Sequence, residues 1–492
     1  MRHCELLIDG CFVGGPCDQA VGKTLHRSPW DGRAVGTAAE GSVSEANAAL
    51  AAACEAAVEW SRSPVSERQS LLYKIAAIIE ERADELAELL VAEIGKPILA
   101  AQGEVRRCAI TFRLAGQALD RWGPEAIDLA ADPRGADYEA DFVRVPRGVV
   151  LAIVPYNWPL NLAAHKVAPA LATGNTVVLK PSCQAPLSTL TLARICHEAG
   201  CPPGVLNAVH MPAPIAQRLA ADPRVSFVSF TGSPEVGWKL KALLPEKPLA
   251  LELGGDASVI LAHDADLDDA IPRVVAAGYT YSGQICISAQ HVRVDRRIAE
   301  RAIPALAVAA QACPFGDPEE RDTVCGPLIS AEAASRVLEW VREAVERGAT
   351  VLAGAGLGGS EIAAEPGRPN LVRPTLVANV PDGCRLATEE VFGPVLTVST
   401  YDGIDEAIEQ VNASKYGIHA AVFTGSAEVA DRCCAELRVG GVVVNDTPLV
   451  RFDSMPYGGV KRSGFGREGV RFAMEEMTEP KVRLRRTGRT LS

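Results

Sequence analysis

The sequence predicts an α/β protein built on doubly wound parallel sheets, and three features carry that expectation. Residues 149–154 and 176–180 are unbroken apolar runs, the pattern of strands buried on both faces. Helical patterns alternate with such runs from 149 to 230, a β-α-β-α-β rhythm that requires crossover helices and a parallel sheet. A second alternation starts near Leu253 and implies a second α/β unit, with a cleft between the two.

In chain order, Leu6-Leu7-Ile8-Asp9-Gly10 opens as a hairpin. Helical periodicity covers 44–61, 66–94 and 102–121; Ser66 and Glu67 start the second of these and Gly95 with Pro97 stop it. Residues 132–135, Asp-Pro-Arg-Gly, form a turn. Helices are expected over 159–172 and 186–199 between the strands 149–154, 176–180 and 225–230. In the second unit, helices fall near 266–281 and 331–347, and strands at 395–401 and 441–444.

Bulk properties remove whole classes of function. The 492 residues suffice for about three domain-sized units or two large ones. With 48% hydrophobic and 22% charged residues the chain is not a disordered one. Its 49 Lys+Arg against 61 Asp+Glu leave a net charge of −12 and no basic block, which argues against nucleic acid and anionic membranes as partners. Glu5 and Asp9 interrupt the N-terminal apolar stretch, so no secretory signal is read, and the run at 148–154 meets Pro155, Asn157 and Pro159 well short of a membrane span. The 14 cysteines show no CxxC spacing and read as reduced thiols of a cytoplasmic protein, the vicinal Cys433-Cys434 included.

Motifs with chemical meaning are few. GxGxxG after a strand, HExxH, CxxC and GxSxG are all missing, so no metal ligand set is read and the familiar dinucleotide and hydrolase signatures do not apply. Phe230-Thr231-Gly232-Ser233-Pro234-Glu235-Val236-Gly237 places Gly-x4-Gly where a strand turns into a helix, which suits an anion at the helix N-terminus or a plain structural turn equally well. Around it stand Val154-Pro155-Tyr156-Asn157-Trp158-Pro159, Leu179-Lys180-Pro181-Ser182, Leu251-Glu252-Leu253-Gly254-Gly255, Ser282-Gly283-Gln284-Ile285-Cys286-Ile287-Ser288, Glu389-Glu390-Val391-Phe392-Gly393-Pro394 and Pro456-Tyr457-Gly458-Gly459-Val460-Lys461.

This series, in this order and over nearly the whole chain, resembles the aldehyde dehydrogenase superfamily. The resemblance implies an aldehyde dehydrogenase-like fold of two doubly wound α/β domains plus a small oligomerisation β element. Residues 1–123 and 146–252 would form the NAD(P)-binding domain, 253–455 the catalytic domain, and 124–145 with 478–492 the oligomerisation element, which in the family extends a neighbour's sheet. A homodimer or homotetramer is therefore expected. By the same resemblance Cys286 is the nucleophile, Asn157 the side-chain donor to the oxyanion, and Glu252 the base that activates water against a Cys286 thioester. Relatives that pass the acyl group to coenzyme A typically lack that carboxylate, so Glu252 implies hydrolysis to the free acid. NAD or NADP would lie against Pro155, Trp158, Lys180, Ser182, Cys183, Gly232, Ser233, Gly237, Glu390 and Phe392.

The chain departs from the family's pattern at two places on the cofactor side. Cys183 stands where many NAD-preferring members carry a ribose-binding Glu, so nothing there repels a 2′-phosphate. His210-Met211-Pro212-Ala213-Pro214 lacks a glycine often found upstream of the Thr-Gly-Ser turn. On the substrate side, Arg107, His165, Ile285, Ile287 and Arg451 are the expected contacts, and Arg451 replaces an aromatic wall residue. Two arginines and a histidine would suit a short aldehyde bearing carboxylate, phosphate or phosphonate; alternatively Arg107 and Arg451 are solvated, or paired with Glu104 and Asp453. The run 451–459 resembles the lactaldehyde and phosphonoacetaldehyde dehydrogenase branch, but Ile285 and Trp158 stand where the phosphonate enzymes tend to carry Arg and His. A different anion or a neutral hydroxyaldehyde both remain open. A cofactor-independent thiol esterase would use the same Cys286 and Glu252, whereas a silent homologue would have no reason to keep them together with Asn157.

Overall fold

The computed structural model describes residues 2–18 and 20–487. Two large sheets and two small ones organise them. The first large sheet has eight strands; its parallel centre runs Leu249–Glu252, Val225–Thr231, Val149–Ile153, Thr176–Lys180, Leu206–Ala208. Every residue of Val149–Ile153 and Thr176–Lys180 is buried, as their unbroken apolar runs require of strands with helices on both faces. The second large sheet has seven strands with a parallel centre of Thr375–Ala378, Val395–Tyr401, His291–Asp295, Ser258–Leu261, His419–Phe423 and Gly441–Val444.

Chain order reverses in the first sheet between Val149–Ile153 and Val225–Thr231, which are neighbours although two strands intervene in sequence. Such a switch point leaves a crevice at the strands' carboxyl ends, where ligands bind in doubly wound sheets. Pro155 and Asn157 follow one of these strands, and Gly232 and Ser233 follow the other.

Both edges of this sheet are closed by antiparallel pieces from distant parts of the chain. The hairpin Leu6–Ile8 with Cys11–Val13 adds to Leu206–Ala208, its turn made by Asp9 (φ 51°) and Gly10 (φ 72°). Such paired positive φ values are those of the tight turns that follow strand twist. At the other edge, Gly464–Phe465 pairs with Leu249–Glu252, so beyond residue 455 the chain returns to the first sheet.

The helices of the N-terminal segment depart from the sequence reading in three ways. The first is Val43–Trp60, one residue earlier than expected, because the Ser42 side chain and Glu45 form a capping box. The span expected as one helix over 66–94 is two, Val65–Glu81 and Ala83–Ile94, broken at Arg82 (φ −103°, ψ 22°). No Pro or Gly marks that break; Arg82 bonds Glu85 and, from another helix, Glu198 at 3.0 Å. The helix expected from residue 102 begins directly after Pro97, as Ile98–Ala118.

A three-stranded sheet of Glu125–Ile127, Tyr138–Pro146 and Thr478–Arg486 stands apart from the large ones. Of the span 478–492 placed in this element, residues 488–492 lie outside the described residues, as do Met1 and Gln19 of the first span. Among the described residues, no helix is long and apolar enough to cross a membrane.

Candidate active site

A cavity of about 420 Å³ opens at the switch point of the first sheet and is closed by loops of the second. From the first come Pro155, Asn157, Ser182, Gly232, Ser233 and Glu252; from the second, Cys286, Glu390 and Phe392. Residues separated by more than two hundred positions in sequence therefore meet at one crevice.

The cysteine loop is a strained turn held by many bonds. Tyr281 and Ser282 are both left-handed (φ 50° and 57°), a conformation that costs non-glycine residues of order 1–3 kcal/mol each. Ser282 Oγ donates to the Gly326 carbonyl at 2.5 Å, and Tyr281 N to Val324 at 2.9 Å. Gln284 acts as a staple: its Oε1 accepts from Ile329 N (2.9 Å) and Tyr156 Oη (3.2 Å), and its Nε2 donates to the Tyr281 and Pro327 carbonyls. Its own carbonyl accepts from Asn157 Nδ2 at 2.8 Å, which ties the two loops together and leaves the second amide hydrogen of Asn157 for another acceptor. Ile285 and Ile287 point into the apolar core beside the half-buried Cys286.

Burial dominates the electrostatics. It pushes the Cys286 thiol up to about 11; the Tyr457 hydroxyl and Arg451 pull it down, and Glu390 and Glu252 push it further. Tyr457 Oη lies 2.8 Å from Cys286 Sγ. Glu252 is buried, neither of its oxygens has a partner among the described residues, and desolvation with the nearby Glu468 holds its carboxyl well above the ordinary range. Glu468 shows the opposite balance. Burial opposes its ionisation, but Lys166 (2.8 Å), Arg451 (3.1 Å) and His165 outweigh it and hold the carboxyl at about 2.

The cofactor-side residues occupy one end of the cavity. Ser233 caps the helix Pro234–Leu243 beside Gly232, its Oγ accepting from Val236 N at 3.4 Å. Gly254 runs against the Glu390 carboxylate so closely that a Cβ would collide with it. Glu390 Oε1 accepts from Gly255 N at 3.1 Å, leaving Oε2 for a hydroxyl donor, and burial raises this carboxyl to about 8. Phe392 is also left-handed (φ 46°) and meets Tyr156 edge-on at 6.2 Å. Lys180 Nζ lies 3.6 Å from Cys183 Sγ, just outside the lining. An anion-binding helix end, a carboxylate for ribose hydroxyls and an aromatic wall in one crevice fit a dinucleotide.

Two further residues expected at the cofactor, besides Lys180 and Cys183, do not line the cavity. Trp158 does not line the cavity; its ring lies beneath Lys96 Nζ (3.9 Å) and the Arg107 guanidinium (5.1 Å). Gly237 is also absent from the lining, and its missing side chain lets its helix pack against Leu253.

The substrate-side arginines are not free clamps. Arg107 spends Nη2 and Nε on Asp453 (2.7 and 3.1 Å) and not on Glu104, and His165 Nε2 lies 2.8 Å from the same carboxylate. Arg451 pairs with Glu468 rather than Asp453 and stacks on Tyr457 at 3.6 Å, while Glu104 is bound to Lys96. Tyr457, Glu468 and Lys166 were not expected here. One signal could have found the last: Asn161–Ala172 is buried on every side, and a lysine in a fully buried helix needs an acid partner.

A crevice fitted to a dinucleotide, with a half-buried cysteine, a buried amide and a buried carboxyl at it, is that of an α/β oxidoreductase. The chain matches the profile of the Aldehyde dehydrogenase family over residues 18–482, and it belongs to that family. The 3-sulfolactaldehyde dehydrogenase of Priestia aryabhattai is 37% identical to it over 474 residues, 96% of this chain and 97% of that protein. The lactaldehyde dehydrogenase of Methanocaldococcus jannaschii is 38% identical over 425 residues, 85% and 88% of the two chains. The crystal structure of NADP-dependent glyceraldehyde-3-phosphate dehydrogenase from Bacillus halodurans, complexed with NADP, aligns with a TM-score of 0.93 at 33% identity, over 99% of this chain and 100% of that one.

Proposed function

We propose that this aldehyde dehydrogenase oxidises a short aldehyde carrying an anionic or hydroxyl group to its free carboxylic acid, with NAD or NADP. The observation that carries the reading is the meeting of Cys286, Asn157 and Glu252 at one cavity whose other end presents Ser182, Gly232 and Ser233. The first sheet unit (1–123 and 146–252) would hold the nucleotide and 253–455 would bring the cysteine.

Cys286 is the nucleophile: its sulfur adds to the aldehyde carbon and later carries the acyl group as a thioester. Asn157 Nδ2, fixed by the Gln284 carbonyl, donates to the oxygen that becomes negative, a contact worth about 3–4 kcal/mol in comparable sites. The nicotinamide, when bound, supplies the hydride acceptor; Glu390 and Phe392 would hold its ribose and ring, and Lys180, Ser182, Gly232 and Ser233 the rest of the dinucleotide. Cys183 in place of a carboxylate, with Lys180 beside it, leaves room for a 2′-phosphate. Glu252, once ionised, takes a proton from water and directs it at the thioester. A cofactor-independent esterase would leave Gly232, Ser233, Glu390 and Phe392 without a task.

Three buried nitrogens without partners among the described residues, Trp158 Nε1, His165 Nδ1 and Arg451 Nε, support a polar substrate end. His165 and Arg451 belong to the network of Asp453 and Glu468, and Trp158 packs on the apolar core beneath the Arg107 guanidinium. The test is turnover of matched short aldehydes with neutral, hydroxyl, carboxylate, sulfonate, phosphate and phosphonate ends by wild type and Arg451→Ala. Anionic or hydroxylated aldehydes should lead in kcat/KM by about tenfold, the value of one charge-assisted hydrogen bond of ~1.4 kcal/mol. Loss of that ratio in the variant supports the reading. A preference for plain alkyl aldehydes in wild type would sink it.

A further inference from the structure

The segment 456–461 places a phenol where the chemistry so far assigns it no role. Tyr457 is buried (2% exposed), and its Oη lies 2.8 Å from Cys286 Sγ. The ring is held from two directions: the Arg451 guanidinium lies 3.6 Å from its centroid, and the His419 ring meets it edge-on at 5.3 Å. Both supports are themselves anchored, Arg451 by Glu468 at 3.1 Å and His419 by its Nδ1 contact, 2.9 Å, to the Pro448 carbonyl. A phenylalanine would fill the same space, so packing accounts for the ring but not for the oxygen. A buried hydroxyl needs a partner, and the one within reach is the reacting sulfur.

We propose that Tyr457 is a catalytic residue whose hydroxyl donates a hydrogen bond to the Cys286 sulfur once that sulfur is a thiolate, and so raises the fraction of reactive nucleophile. The proposal rests on the reading of Cys286 as the nucleophile. The phenol keeps its own proton throughout; the thiol proton leaves to water when the sulfur ionises, and the hydrogen bond is strong only toward the charged form. Burial keeps the Tyr457 phenol far above its ordinary range, so it remains a donor across the working pH. The other groups facing this sulfur are Glu252 and Glu390, which disfavour the thiolate, and Arg451, which favours it. Burial lowers His419, which stays neutral. Among these groups Tyr457 and Arg451 alone act for the anion, and Tyr457 alone touches it.

The experiment is the pH dependence of iodoacetamide alkylation of Cys286, followed by mass spectrometry of the Cys286 peptide, in wild type and Tyr457→Phe. Alkylation forms the S–C bond and expels iodide at a rate set by the thiolate fraction, and it needs neither aldehyde nor nucleotide. The variant should move the midpoint up by about one pH unit, and slow alkylation about tenfold below both midpoints, the weight of one hydrogen bond to a charged group. A merely structural Tyr457 would leave the profile in place, so superimposable profiles from folded proteins overturn the proposal. A different failure marks the nucleophile reading itself: Cys286→Ala retaining aldehyde turnover.

Discussion

At the scale of single residues, Glu252 is the group whose placement makes the sharpest demands. Its buried oxygens have no partners among the described residues, so the fold bears the cost of a carboxyl that a glutamine could replace in shape. Glu252→Gln should cut turnover by about 10²–10⁴, the usual value of a positioned base, and leave an acyl adduct on Cys286 visible by intact mass. Normal turnover with no adduct would remove Glu252 from deacylation. Stability should move the other way. Burial raises the folded-state carboxyl above its unfolded value, so its contribution is fully present below the ordinary carboxylate range and is lost as pH rises through the raised value. Over that window calorimetric melts should show wild type losing about 1–3 kcal/mol relative to the glutamine variant; parallel curves would contradict the raised value. The motifs around Cys286, Asn157 and Glu252 were legible in the sequence because each is local. Tyr457 and Glu468 were not: the contacts that define them span 171 residues to Cys286 and 302 to Lys166, and no periodicity encodes such a pairing. Arg107 and Arg451 were visible as charges, but which acid each one meets is a property of the folded chain.

At the scale of elements, the loop that carries Asn157 is positioned by a helix lying far ahead of it in sequence. Glu104, on Ile98–Ala118, accepts with one oxygen from Leu160 N (2.9 Å) and Asn161 N (3.2 Å), capping the helix Asn161–Ala172. Its other oxygen is paired with Lys96, which is fully buried and stacks over Trp158 at 3.9 Å. The Trp158 ring thereby serves the scaffold of the Asn157 loop and not the cavity. Glu104→Gln keeps a carbonyl oxygen for the two amides but leaves Lys96 as an unpaired buried cation. It should cost about 3–5 kcal/mol in denaturant unfolding, and Lys96→Met added to it should recover a large part. Additive losses in the double variant would show that the pair is not coupled. The strand Thr176–Lys180 falls where the sequence places it, since a strand buried on both faces writes an unbroken apolar run, and Val395–Tyr401 and Gly441–Val444 keep their expected bounds as well. The break at Arg82 left no such mark because no helix-breaking residue stands there.

At the scale of the whole molecule, two of the sheet edges among the described residues carry exposed apolar side chains. In the small sheet, Thr478–Arg486 pairs with Tyr138–Pro146 on one side and with nothing described on the other, and Val482 and Leu484 are 62% and 57% exposed along it. In the seven-stranded sheet, Gly441–Val444 is the terminal strand, with Val444 39% exposed. A long unpaired edge bearing apolar side chains is a template for pairing with another chain, and soluble proteins shield such edges by charge, bulges or association. Of the charges on the strand Thr478–Arg486, Arg483 is satisfied within the chain by Asp141 at 2.6 Å. These observations favour the expected homodimer or homotetramer, with the small sheet of one protomer extending a sheet of its partner. Static light scattering should give twice or four times the 51.9 kDa chain mass for wild type. Replacing Val482 and Leu484 together by Asp should shift it toward the monomer, because two desolvated carboxylates on one face of a paired edge cost several kcal/mol. Since Thr478 follows directly on the helix Val470–Glu476, which packs on the Lys166-bearing helix Asn161–Ala172, loss of the oligomer should also lower kcat. An Asp variant that stays oligomeric would show that subunits meet through another surface.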